Sequence, residues 1–346
     1  MLRRIMANDA APEPVDIYTH GPDRQNFVHL QLKMTPVSFI QQLTANLEWA
    51  AYGEGWGKHQ DQSMGGPDEP MGETERADAI ARQFVQARRD GSALRDFPGT
   101  IPRTIDDAYR IQDAAIRCWP DSIVGWKVGY IAPELREPTG DERLVGPIFA
   151  GQLQLAEAEM SLDFPVFAGG FAAVEAELVF RLGADAPAGK LHWTLDEAEA
   201  LVADLYIGIE TAGSPLATIN ELGPRVVVSD FGNNAGMLLG PKIADWRAAR
   251  APLLDCVSFI DGRKVGAGSV ETLAGGPLVA LAFALSRCAR NGRPLRAGHL
   301  VTTGAVTGIH DIVAGQSARV DFGAHGSLRC RAVDAREFLR MRGLPA

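Results

Sequence analysis

Cysteine is scarce and scattered: Cys118, Cys256, Cys288 and Cys330 are the four in 346 residues, and no two form a Cys-x-x-Cys pair. That spacing excludes a disulfide framework or a thiolate metal site and reads as reduced, mostly buried thiols of a cytoplasmic protein. No apolar run approaches the roughly 20 residues that span a bilayer. Where a signal peptide needs an apolar core, Met1-Leu-Arg-Arg-Ile-Met is followed by Asn-Asp-Ala-Ala-Pro-Glu-Pro. Positive charge is also in deficit. With 34 Lys and Arg against 43 Asp and Glu, the net charge of −9 leaves nothing to release counterions from phosphates, so nucleic acid is excluded as a general partner. Gly266-Ala-Gly-Ser is too short and wrongly placed for a dinucleotide fingerprint, and no phosphate loop is present. His192, His299, His310 and His325 share no spacing and read as structural.

Against these absences stands an ordinary apolar fraction of 46%, enough for a sizeable core. Within it, Phe171-Ala-Ala-Val-Glu-Ala-Glu-Leu-Val-Phe180 places two carboxylates in a run that otherwise reads as a buried strand. Strand alternation puts Glu175 and Glu177 on one face, about 7 Å apart along the chain. Two ionised carboxylates are stable side by side only on a solvated face, as on an edge strand, or with a cation or protons to neutralise them. Leu205-Tyr-Ile-Gly-Ile-Glu210 supplies a third acid at the end of another apolar strand. Three carboxylates without a neighbouring Cys or His suit Mg²⁺ or Mn²⁺ better than zinc.

Along the chain, residues 1–70 are rich in Gln, Pro, Gly, Asp and His without sustained periodicity. They read as an appended, poorly ordered arm whose deletion leaves folding and turnover largely unchanged, with Met71 as an alternative start, or else as a small helical subdomain around Phe39 to Trp49. A folded domain is expected over 71–346, with a helical part at 74–120 and a strand-rich part at 121–335. Helices are predicted over 74–90, ending at Gly91, from the Thr104-Ile-Asp-Asp cap, from Thr194-Leu-Asp-Glu, and from Pro277 to Asn291-Gly292. Ile123-Val-Gly-Trp-Lys-Val-Gly129 reads as a strand carrying one lysine in an apolar setting. Tyr130 to Gly151 reads as a long lid or binding loop. Further strands are expected at Arg225–Ser229, a β-branched run, around Met237–Leu239, at Cys256–Asp261 and Lys264–Ala267 with Asp261-Gly262 as the hairpin turn, and at His299–Thr303, Ala318–Phe322 and Ser327–Ala332. Strands outnumber helices without alternating with them, an α+β pattern that argues against a doubly wound sheet.

Six landmarks in order, Gly125-Trp-Lys-Val-Gly, Val174-Glu-Ala-Glu-Leu, Ile209-Glu-Thr-Ala-Gly-Ser, Asp230 with Gly240, Gly276-Pro-Leu and Leu300-Val-Thr-Thr-Gly-Ala, give a resemblance over about Ala77 to Val333. The chain resembles the 2-keto-4-pentenoate hydratase branch of the fumarylacetoacetate hydrolase superfamily. The resemblance implies a mixed β-sandwich roll like the fumarylacetoacetase C-terminal domain, with flanking helices. It also implies Glu175, Glu177 and Glu210 as ligands of a divalent metal, Mg²⁺ or Mn²⁺, with Lys127 and Asp230 as the acid and base. The implied substrates are 2-oxo or 2-hydroxydienoic acids from the meta-cleavage of aromatic rings, and the implied assembly is a homo-oligomer associated with a related decarboxylase. Two loops depart from the family pattern, Thr139-Gly-Asp-Glu-Arg-Leu-Val-Gly-Pro147 and Asp230-Phe-Gly-Asn-Asn-Ala-Gly236.

The residue types suit the chemistry. A 2-oxo acid chelates an octahedral cation through its carboxylate and C2 oxygen, and the cation stabilises the enolate formed as the dienol tautomerises. Lys127, among Val124, Trp126 and Val128, reads either as a substrate-binding and proton-transfer group or as a snorkelling strand lysine. Asp230 reads as a base or as an ordinary turn or cap aspartate. Thr303 and Gly304 end a strand, where hydroxyl and N–H reach a substrate carboxylate or simply leave the sheet. Hydrolases of the superfamily use a His before the Glu-x-Glu strand; no histidine lies between His59 and His192, which favours hydration over hydrolysis. A 2-oxo-3-hexenedioate decarboxylase shares the ligands and lysine and is the nearest rival.

Overall fold

The structure, a computed structural model, describes residues 72–138, 140–156, 160–247 and 255–341. The arm expected over residues 1–70 lies outside the described residues. Helix α1 (Glu73–Arg89) and helix α2 (Ile105–Cys118) form where the sequence places them. Gly91 adopts φ 59° just past α1, and the Thr104 hydroxyl accepts from Asp107 N–H at the start of α2. They pack together through apolar stripes of Ala77, Ile80, Ala81, Phe84 and Val85 on α1 and Ala108, Ile111, Ala114 and Ala115 on α2.

The strands are β1 (Ile123–Tyr130), β2 (Arg143–Phe149), β3 (Leu153–Leu155), β4 (Ser161–Val166), β5 (Phe171–Leu182), β6 (Val202–Ser214), β7 (Asn234–Lys242), β8 (Cys256–Ile260), β9 (Arg263–Gly268), β10 (Leu300–Thr302), β11 (Ile309–Asp311), β12 (Ser317–Asp321) and β13 (Ser327–Asp334). An eight-stranded mixed sheet runs β2-β1-β10-β5-β6-β7-β3, with β11 also pairing β5; a five-stranded sheet runs β4-β13-β12-β8-β9. Helix α3 (Leu195–Ala200) leads into β6, α4 (Pro224–Ser229) precedes β7, α5 (Pro277–Arg290) precedes β10 and α6 (Ala335–Met341) follows β13. The strand-rich pattern predicts the α+β class, and the roll with flanking helices is the one that the resemblance implies. Among the described residues no helix is long and apolar enough to cross a membrane.

Four expectations change. Arg225–Ser229 is not a strand: Gly223 at φ 91° and Pro224 at the first turn start a helix. β-Branching costs only a few tenths of a kcal/mol there, whereas burying each of Val226, Val227 and Val228 contributes about 1.5–3 kcal/mol. The long loop 130–151 shrinks to 131–142, because Arg143–Phe149 is a fully buried strand antiparallel to β1. Gly146 and Pro147 disguise it. Pro147 is tolerated because β2 ends the sheet, and Gly146 because a Cβ there would lie 1.9 Å from the Phe231 carbonyl. Glu210 is not the end of its strand, since β6 continues to Ser214. Finally, β5 is an interior strand between β10 with β11 and β6, which removes the solvated edge as a home for its acids.

Candidate metal and acid–base site

The site is built by register. Alternation along β5 puts Glu175, Glu177 and Val179 on one face, and the antiparallel pairing with β6 sets Glu210 directly opposite Glu175 and Gly208 opposite Glu177. On β1, Lys127 shares that face with Gly125, which pairs with Leu300 of β10. The other face of β5, Val174, Ala176, Leu178 and Phe180, belongs to the main core. Beside the acids lies a second, smaller apolar cluster of Ile148, Val179, Met237, Leu239 and Leu300. Met237, directly opposite Glu210, therefore brings this apolar cluster up to the carboxylates.

Glu175, Glu177 and Glu210 are 4%, 0% and 0% exposed, and one oxygen from each lies within 4.8 Å of the others. Lys127 Nζ is 3.3 Å from Glu210 Oε1 and donates to Asn233 Oδ1 at 3.0 Å. Thr303 N–H donates to Glu177 Oε2 at 3.0 Å, and Asn234 Nδ2 to Glu210 Oε1 at 3.1 Å. Glu175 Oε1, Glu177 Oε1 and Glu210 Oε2 have no hydrogen-bond partner among the described residues. With all three carboxylates ionised, one ammonium would leave two negative charges unbalanced in a buried space. Burial pushes the Glu175 pKa up to about 7, partly offset by Lys127, with Glu210 raising it further. Glu177 is pushed well above the ordinary range by burial, then by Glu210 and Glu175. Burial alone would lower the Lys127 pKa, but Glu210, Glu175 and Glu177 together reverse this and raise it. Three hard oxygen donors, each with an acceptor atom to spare, fit a divalent cation of the Mg²⁺, Mn²⁺ or Ca²⁺ type.

The structure thus brings Lys127 and Thr303 to the three acids. The Thr303 hydroxyl is itself buried without a partner among the described residues, and Gly304, at φ 99°, turns the chain out of β10 next to it. Asp230 is held differently. Arg88 Nε meets Asp230 Oδ1 at 2.5 Å, Arg88 donates again to Oδ2 at 2.9 Å, and the Ser214 hydroxyl donates to Oδ2 at 2.6 Å. His310 contacts Thr307 Oγ1 instead of the acids. Sequence reasoning missed Arg88, Ser214, Asn233 and Asn234. Arg88 was signalled by its place, four residues after Phe84 in the apolar stripe of α1, where a charge needs a buried partner.

No family model matches the chain. It is 26% identical to a 2-keto-4-pentenoate hydratase of Paraburkholderia xenovorans (strain LB400) over 254 residues, 72% of this chain and 92% of that protein. It is 27% identical to the TodF product hydratase of Pseudomonas putida F1 over 262 residues, 71% of this chain and 91% of that one. In fold it is similar to 4-oxalocrotonate decarboxylase from Pseudomonas putida G7, solved with magnesium and adipate. That likeness has a TM-score of 0.63 at 21% identity, over 75% of this chain and 98% of that one.

Proposed function

We infer that this chain, which belongs to the 2-keto-4-pentenoate hydratase branch of the fumarylacetoacetate hydrolase superfamily, is a divalent-metal-dependent hydro-lyase that adds water to a 2-hydroxy-2,4-dienoate. The observation that carries this reading is the buried triad with one unpartnered oxygen on each carboxylate and one ammonium alongside. Glu175, Glu177 and Glu210 would hold the cation, Mg²⁺ or Mn²⁺. When bound, it supplies Lewis-acid polarisation of the substrate's C2 oxygen.

The chain's own groups do the rest. In the hydration, the proton of the C2 hydroxyl is given up and C5 gains one; water then adds at C4, and C3 takes the second hydrogen. Lys127 Nζ, kept protonated by the acids around it, is the donor we assign to bind the substrate's carboxylate end and to move a proton. The Thr303 hydroxyl, without a partner among the described residues, is free to donate to the same carboxylate, and we assign the Gly304 N–H at the strand exit to it as a second donor. Ile148, Val179, Met237 and Leu239 keep bulk water from one side, which strengthens each of these electrostatic contacts.

A panel of 2-hydroxydienoates assayed with and without chelator tests the reading. Hydration of 2-hydroxypenta-2,4-dienoate should vanish with chelator and return with Mg²⁺ or Mn²⁺, without cleavage of acetopyruvate. Carbon dioxide release from 2-oxo-3-hexenedioate with no hydration would make the chain a decarboxylase instead.

A further inference from the structure

Asp230 lies in the Asp-Phe-Gly-Asn-Asn segment between α4 and β7, and that segment has an unusual backbone. Phe231, Gly232 and Asn233 are consecutive residues at φ 54°, 64° and 56°. Left-handed backbone is common only for Gly and Asn, so a buried Phe in that region persists only where its surroundings hold it. Arg88 brackets the turn. Its Nε and one terminal nitrogen take the Asp230 carboxylate before the turn, and its other terminal nitrogen donates to the Asn234 carbonyl after it at 2.9 Å. The guanidinium also lies 5.1 Å from the Phe231 ring centroid, and that ring packs against Phe149 at 5.1 Å. Beneath the turn, Gly232 lies against the backbone of Gly146, which has no side chain to keep it away.

What this clamp delivers is the amide pair that meets the charged site: Asn233 Oδ1 to Lys127 Nζ and Asn234 Nδ2 to Glu210 Oε1. Asp230 itself has both oxygens occupied by Arg88 and Ser214. We propose that Arg88 and Asp230 are a positioning pair, which clamps the left-handed turn Phe231–Asn233 and through it fixes Lys127 and Glu210, so that Asp230 is an anchor of the site and not its base. The inference rests on the triad holding a divalent cation; it is independent of which dienoate is turned over.

The two roles for Asp230 separate in the free energies of metal binding and catalysis. The purified chain is titrated with Mn²⁺ alone, and kcat and KM are measured in parallel, for Arg88→Gln, Asp230→Asn and the double variant. Partners that orient metal ligands from behind typically change affinity or activity by about 10–100-fold. Both single variants should therefore weaken Mn²⁺ binding and lower kcat within that range. The double variant should be no worse than the worse single, because each removes the same clamp. Arg88→Lys should not restore either quantity, since one ammonium spans only one end of the turn. Loss of kcat in Asp230→Asn with wild-type Mn²⁺ affinity, and wild-type behaviour of Arg88→Gln, would make Asp230 the base and overturn the proposal. If the clamp variants do not fold, Asn234→Ala tests the delivered contact: wild-type Mn²⁺ affinity and kcat there would equally overturn it. A wild-type chain that binds no Mn²⁺ would remove the metal reading and this inference together, whereas binding that is equal in wild type and all variants removes only this one.

Discussion

Two buried charge clusters sit within this fold, and they are finished differently. Arg88 and Asp230 have side chains 1% and 0% exposed, balance each other's charge, and are met at every polar atom by Ser214, backbone carbonyls or one another. Lys127 and Glu210 are as deeply buried, at 4% and 0%, yet Glu175 and Glu177 beside them, when ionised, leave the group two charges short of balance, with three oxygens unpartnered among the described residues. Desolvation costs are similar for both, so burial alone does not distinguish a structural ion pair from a working one. The distinction is saturation. A cluster that only stabilises closes its hydrogen bonds, whereas one that receives a ligand keeps acceptors open and tolerates the repulsion.

The largest expected effect comes from the open cluster. Glu177→Gln keeps shape but removes a charge and one of the three proposed ligands. Steady-state assays in Mg²⁺ should show turnover about a thousandfold lower, or about 4 kcal/mol, partly rescued by added Mg²⁺ or Mn²⁺. Urea unfolding with chelator should show equal or higher stability than wild type. Arg88→Met should give the reverse emphasis: it strands Asp230 without its partner, and unfolding free energy should fall by about 3–5 kcal/mol. If Glu177→Gln destabilises the metal-free chain as much as Arg88→Met does, the two clusters are the same kind of object and the comparison breaks.

The sequence showed one cluster and concealed the other for a physical reason. Glu175 and Glu177 announce themselves because period-two alternation is local: two acids two residues apart in an apolar strand share a face whatever the rest of the chain does. The helix caps at Thr104 and Thr194 and the turn at Asp261-Gly262 are local in the same sense. Arg88 and Asp230 are 142 residues apart, and no local rule pairs them. The same holds for β2, whose Gly146 and Pro147 read as loop until the approach of the Phe231 turn explains the glycine and the sheet edge explains the proline. It holds again for Val226–Val228, where burial overrides β-branched preference.

A smaller effect separates the clusters by pH. The Glu175 carboxyl has a folded pKa of about 7 against an ordinary 4.5, so the folded metal-free chain binds its proton more tightly than the unfolded chain. Its contribution is fully present below pH 4.5 and is lost as pH rises through 7, a difference on the order of 3 kcal/mol. Urea midpoints with chelator should therefore fall between pH 5 and 8, saturating Mg²⁺ should offset the fall because the cation replaces the proton, and Glu175→Gln should reduce the slope without abolishing it, because burial also raises the Glu177 pKa and adds a fall of the same sign. An undiminished slope in Glu175→Gln would assign the pH dependence to other groups.

The smallest effect isolates what burial adds to a given geometry. Arg331 and Asp163 form the same kind of fork as Arg88 and Asp230, with two nitrogen–oxygen contacts of 2.9 and 2.8 Å, but their side chains are 53% and 31% exposed. Water solvates both groups whether or not they meet, and salt screens what attraction remains, so Asp163→Asn should lower unfolding free energy by no more than about 1 kcal/mol. The loss should shrink further in 1 M salt, whereas that of Arg88→Met should persist, since a buried pair is screened far less. Chemical denaturation of both variants at low and high salt makes the comparison. A loss from Asp163→Asn that approaches the loss from Arg88→Met, and that is equally indifferent to salt, would show that fork geometry and not burial sets the strength of these pairs, and the contrast between closed and open clusters would then need another cause.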